Sequence, residues 1–69
     1  MRNISVRING QAREVPAGLT VLGLLEWLQL NPERVAIELN RQILRRPAWS
    51  ETPLEAGAEL EIVHFVGGG

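Results

Sequence analysis

The 69-residue sequence contains no cysteine, lysine, aspartate or tyrosine. Without cysteine it can form no disulfide or thiolate metal site, so a chain at the lower size limit of a self-sufficient core must hold together by packing. Without aspartate, and with His64 as its single histidine, it lacks the parts of a Ser-His-Asp triad or a metal cluster. All seven basic residues are arginine, so no side-chain amine is available to accept an isopeptide bond. No charge dominates either: seven basic residues stand against eight acidic ones, for a net charge of −1. That balance argues against nucleic acid as a partner. No apolar run approaches the roughly 20 residues needed to cross a bilayer, so no membrane association is expected. Met1-Arg2-Asn3 leads straight into an alternating pattern, not into a basic region followed by an apolar stretch, which predicts a cytoplasmic protein. The glycines at 67–69 precede no helix and no lysine, so they form no phosphate loop.

What is present is patterned, with 45% apolar residues. Ile4, Val6 and Ile8 alternate with Ser5, Arg7 and Asn9, the period of a strand with one buried face. Asn9-Gly10 favours the left-handed angles of a tight hairpin, so 11–15 should return as a second strand. A strict two-residue turn would set Arg13 opposite Val6 on the buried face, which a longer loop or a bulge would relieve. Pro16-Ala17-Gly18 breaks the strand and Thr20 stands at the N-cap of a helix. In that helix Val21, Leu24, Leu25 and Leu28 form one apolar stripe, and Asn31-Pro32 ends it. Gly23 weakens it by up to about 1 kcal/mol relative to alanine. Leu22, Trp27 and Leu30 widen the apolar surface and predict a helix covered by the sheet and by later loops.

A third strand follows at Val35, Ile37 and Leu39, then an Asn40-Arg41 turn into a short strand at 42–45. Residues 47–51 should form one turn that lays Trp49 over the end of the core. After a loop at 52–57, the last strand is expected at 59–66, with Leu60 and Ile62 on one face. This order predicts an α+β domain of β-grasp type, a mixed sheet of four to five strands crossed by one main helix. The first and last strands are expected at its centre, in a single domain over 1–69 with 66–69 as a flexible glycine tail.

Few side chains offer chemistry. Glu59 and Glu61 read as a solvated face, Arg45-Arg46 as surface charge, and His64 has no partner residue for catalysis. The tail is different. Three residues without a Cβ make a thin segment able to thread a narrow channel, and the α-carboxyl of Gly69 is ionised at neutral pH. Taken alone, such a triplet reads equally as a frayed end. Val63, Phe65 and Val66 make the strand before it apolar on both faces, which predicts an exposed patch for a partner. Packing of Phe65 beneath the Trp49 loop is the alternative.

Several features together resemble a known family. They are Leu19-Thr20-Val21 through Leu24-Leu25 to Leu28, Val35-Ala36-Ile37-Glu38-Leu39-Asn40, Ile43, Arg46, Trp49, Thr52-Pro53-Leu54, Gly57, Glu61-Ile62-Val63 and the closing Phe65-Val66-Gly67-Gly68-Gly69. The resemblance is to the ubiquitin-like sulfur carriers of thiamine biosynthesis, the ThiS family, and spans nearly the whole chain. Ala58, where the family often has aspartate, and Arg45, where proline is common, depart from it in turn and loop positions.

The resemblance implies a carrier that is a co-substrate of other enzymes, with no cofactor of its own. A ThiF-type, E1-like adenylyltransferase would use ATP and Mg²⁺ to adenylate Gly69. A cysteine desulfurase or rhodanese-like relay would supply persulfide sulfur that displaces AMP, and the thiocarboxylate would serve a ThiG-like thiazole synthase. Gly67 and Gly68 would thread the tail into each enzyme, while Val63, Phe65 and Val66 dock the strand. Without cysteine, no internal thiol could attack the activated terminus. Three alternatives stand beside this reading: a small subunit of molybdopterin synthase, a ubiquitin-like protein modifier, and an interaction module with an inert tail.

Overall fold

A computed structural model of the chain describes residues 2–65. The expected tail at 66–69 lies outside them. Strands β1 (Asn3–Ile8) and β2 (Gln11–Pro16) form the first hairpin. Its turn is two residues long, with Asn9 at φ 52° and Gly10 at φ 82°, the left-handed pair that matches strand twist. Neither the longer loop nor the bulge occurs: Arg13 sits opposite Val6 in an unbroken register. The conflict is resolved by position. Strand β2 lies at the sheet edge, and Arg13 faces a groove past the end of the helix, beside Leu28 and Leu30. There its stem can cover apolar surface while the guanidinium stays in water.

Helix α1 spans Val21–Trp27, and the Thr20 hydroxyl caps it by accepting from the Gly23 N–H at 3.0 Å. It stops before Asn31-Pro32. Gln29 takes φ 62°, the Gln29 N–H donates to Glu26 O at 3.0 Å and the Leu30 N–H to Leu25 O at 2.9 Å. These are the two closing bonds of a Schellman motif, with glutamine in the left-handed position usually held by glycine. Asn31 then caps a short 3₁₀ turn at Pro32–Arg34.

Strands β3 (Val35–Leu39) and β4 (Gln42–Leu44) form a second tight hairpin through Asn40 and Arg41, and β5 runs over Glu59–His64. The sheet order is β2-β1-β5-β3-β4. Strands β1 and β5 pair in parallel and every other neighbour is antiparallel, so the first and last strands meet inside a mixed five-stranded sheet. This is the expected β-grasp arrangement.

Val6, Val15, Val21, Leu24, Leu25, Val35 and Leu60 are almost completely buried between helix and sheet. At about 1.5–3 kcal/mol for each large aliphatic side chain removed from water, this layer is the main stabilising term. A 3₁₀ segment at Arg46–Glu51 closes one end. Its Trp49 is 2% exposed and donates its indole N–H to Leu44 O at 2.9 Å, while the Arg46 guanidinium lies 5.5 Å from the ring centroid. The loop after it is tied to the helix start by the Val21 N–H to Thr52 O and the Leu54 N–H to Leu19 O, both 2.9 Å. Cover of the helix is less complete than its composition predicts: Trp27 remains 45% exposed.

Candidate functional site

The site is the end of β5, from which residues 66–69 continue. On one flank this strand is held by β3, whose register runs to Val35 opposite His64, and the Phe65 N–H donates to Arg34 O at 2.8 Å. The other flank is built differently. Strand β1 pairs with β5 only as far as Leu60, and the Asn9 N–H donates to Leu60 O at 2.9 Å where the hairpin turns away. The Asn9 side chain then takes the place of a strand. Its Oδ1 accepts from the Ile62 N–H at 2.7 Å and its Nδ2 donates to Ile62 O at 3.1 Å. A turn residue thus satisfies both backbone groups of a β5 residue that would otherwise lack a partner on this side.

Alternation along β5 sorts its side chains. Leu60 and Ile62 are buried, whereas Val63 and Phe65 are 56% and 53% exposed. Phe65 therefore does not pack beneath the Trp49 loop, whose indole is already enclosed and hydrogen-bonded. Val63 pairs with Ala36 on the sheet face away from the helix, where a shallow apolar depression is lined by Ala36, Ile43 and Val63 and edged by Glu38 and Glu61. Ile43, 80% exposed, is the residue that reasoning from sequence missed as part of this surface. The signal was present: in β4, Leu44 faces the core, so its neighbour must face outward. Glu61 is exposed as expected and sits opposite Glu38, a like-charge pair that costs stability. Val66, Gly67, Gly68 and Gly69 lie outside the described residues.

His64 lies on the other face. With Arg13 it borders a groove of about 220 Å³ floored by Ile8, Leu28, Leu30 and Ile62. Sequence reasoning placed neither Arg13 nor Asn9 at the end of β5, because both arrive there only through the β1–β5 crossover. Among the described residues no group of three or more histidine, cysteine, aspartate or glutamate side chains could hold a metal ion. No helix among them is long and apolar enough to cross a membrane. Chemically, this arrangement presents a firmly held strand with an apolar patch on one side and a partly basic groove on the other.

The model of the ThiS family matches residues 6–69. Over 66 residues the chain is 30% identical to the sulfur carrier protein ThiS of Escherichia coli (strain K12), covering 96% of this chain and 100% of that protein. A thiazole synthase of Magnetococcus marinus is 36% identical over 66 residues, covering 96% of this chain but 20% of that protein. The chain thus spans about a fifth of the length of the thiazole synthases it matches. Among solved structures, the crystal structure of the thiamine biosynthesis protein ThiS from Geobacter metallireducens has a TM-score of 0.81 at 33% identity, covering 96% of this chain and all of that one.

Proposed function

We propose, since the chain belongs to the ThiS family, that it is a sulfur carrier for thiamine biosynthesis whose reactive group is the carboxylate of Gly69. The observation that carries this reading is the extent of the family match, which includes the glycine triplet to Gly69. A carboxylate is a poor electrophile because its oxygens are poor leaving groups. Attack of a Gly69 oxygen on the α-phosphorus of ATP, bound with Mg²⁺ in an E1-like partner, releases pyrophosphate and leaves an acyl-adenylate. The terminal sulfur of a persulfide, from a cysteine desulfurase or rhodanese-like relay, then attacks the carbonyl and expels AMP. A second thiol cleaves the resulting acyl disulfide, leaving the thiocarboxylate on the carrier and a disulfide on the relay. In the last step the thiocarboxylate sulfur is the nucleophile. Likeness to part of proteins named thiazole synthase supports such a synthase as the acceptor.

The carrier's own contribution is positional. A strand held on both flanks to Ile62 fixes where the tail begins, Gly67 and Gly68 keep it thin, and Val63, Phe65 and Val66 dock it. Intact-mass measurement after incubation with the activating enzyme, ATP and a sulfur donor tests the reading. The expected result is exchange of one terminal oxygen for sulfur, followed by its loss when thiazole synthase and its substrates are added. An unchanged mass, under conditions that modify an established carrier, refutes it. Turnover with molybdopterin synthase only, or a covalent adduct on a target lysine, assigns the chain to one of the rival classes.

A further inference from the structure

Among the described residues, the register of β5 leaves the backbone of His64 without a strand on one flank. The Asn40 N–H donates to Glu59 O and the Phe65 N–H to Arg34 O, so the hydrogen-bonded pairs between β3 and β5 fall on the odd-numbered residues of β5. The N–H and C=O of Leu60, Ile62 and His64 therefore point to the β1 flank. Asn9 takes the Leu60 carbonyl through its backbone and both groups of Ile62 through its side chain. Beyond it β1 has turned away, and among the described residues no strand pairs with His64 on that flank. A free edge at the centre of a sheet differs from an ordinary edge strand, because the neighbouring place is already framed by the hairpin above and the helix below.

Resting on the activation chemistry proposed above, we infer that this gap receives an extended segment of the ATP-using activating partner. The segment adds as a strand beside His64 and continues the line that β1 vacates. Backbone bonds to His64 supply the alignment, and alternate side chains supply the selectivity. A side chain directed to the helix face meets the apolar floor of Leu28, Leu30, Ile62 and Ile8, so it is aliphatic or aromatic. Arg13 stands at the rim and among the described residues no carboxylate lines the groove, so the segment carries an acidic residue that meets the guanidinium. Pairing at His64 would aim the following residues along the partner's backbone, which is how a thin tail can be directed into a channel. It also gives a role to Arg13 on the core-facing side of β2, where the sequence pattern asks for an apolar residue.

Two variants of the full chain test this. In the first, made by chemical synthesis, the amide linking Val63 and His64 is replaced by an ester, which deletes the His64 N–H. The second is Arg13→Glu. Each is titrated with the activating enzyme in the presence of ATP and Mg²⁺, and its thermal midpoint is recorded. Loss of one backbone bond should weaken binding about fivefold, and charge reversal at the rim by tenfold or more, while midpoints show both variants folded. Binding of both folded variants within twofold of the unmodified chain overturns the proposal. So does a concentration-dependent dimer of the unmodified chain that Arg13→Glu abolishes, since a second copy would then fill the gap. Failure of the unmodified chain to be adenylated refutes the carrier reading itself, and the inference falls with it.

Discussion

Replacing Asn9 tests how the end of β5 is held. Its side chain makes two bonds to Ile62, at 2.7 and 3.1 Å, and its backbone sits at φ 52°. Each part-buried hydrogen bond contributes about 0.5–1.5 kcal/mol net, so the pair is worth roughly 1–3 kcal/mol. Alanine at a left-handed position adds about 1 kcal/mol of backbone strain. Asn9→Ala should therefore cost roughly 2–4 kcal/mol, and Asn9→Gly, which tolerates the backbone angle, should cost only the hydrogen-bond part. A chain this short has a total stability of only about 3.5–10 kcal/mol, so the loss is large. Urea unfolding gives both values, and their difference isolates the strain. Amide hydrogen exchange supplies the local readout: the Ile62 amide should lose protection in both variants, while the Val63 amide, paired to β3, keeps it. If Asn9→Gly unfolds within about 0.5 kcal/mol of the unmodified chain with the Ile62 amide still protected, the side chain is not acting as a substitute strand.

Two further outcomes follow from the same geometry. Gln29 occupies the left-handed position of the Schellman motif at φ 62°, so Gln29→Gly should stabilise the fold by about 1 kcal/mol, read as a shift in the urea midpoint at unchanged slope. Gly68→Val should leave that midpoint unchanged yet abolish adenylation by the activating enzyme, because a branched side chain widens the segment that must pass the channel; normal turnover of this variant would show that the tail is not threaded.

Much of the fold was legible because it rests on short-range rules. The alternation in β1, the Thr20 cap and the apolar stripe of the helix each depend on neighbours a few residues away. The misreadings arose where distant pairing decides. Arg13 looked misplaced because the pattern of β2 does not reveal that β2 is an edge strand running past the end of α1. One misreading was local instead: the helix stopped early through a Schellman closure in which Gln29, at φ 62°, holds the position where glycine is the usual signal. The short strand at 42–45 was read without a face for Ile43, and only its register against Glu38 shows that it points outward.

Asn9 shows the same limit and links the mount to the site. Asn9-Gly10 was read correctly as a turn, and the same local chemistry that forms the turn takes β1 away from β5. That departure would leave Ile62 unpaired, and the side chain of the turn residue reaches across 53 positions of sequence to pair it. Two residues further along β5 the reach of Asn9 is exhausted, and among the described residues no strand stands beside His64 on that flank. The hairpin thus determines both how far β5 is held by its own chain and where another chain must take over. A shift of the turn by one residue would exchange the faces of every β2 side chain and move Asn9 away from Ile62. The end of β5 therefore depends on the position of a turn that lies at the opposite end of the sequence.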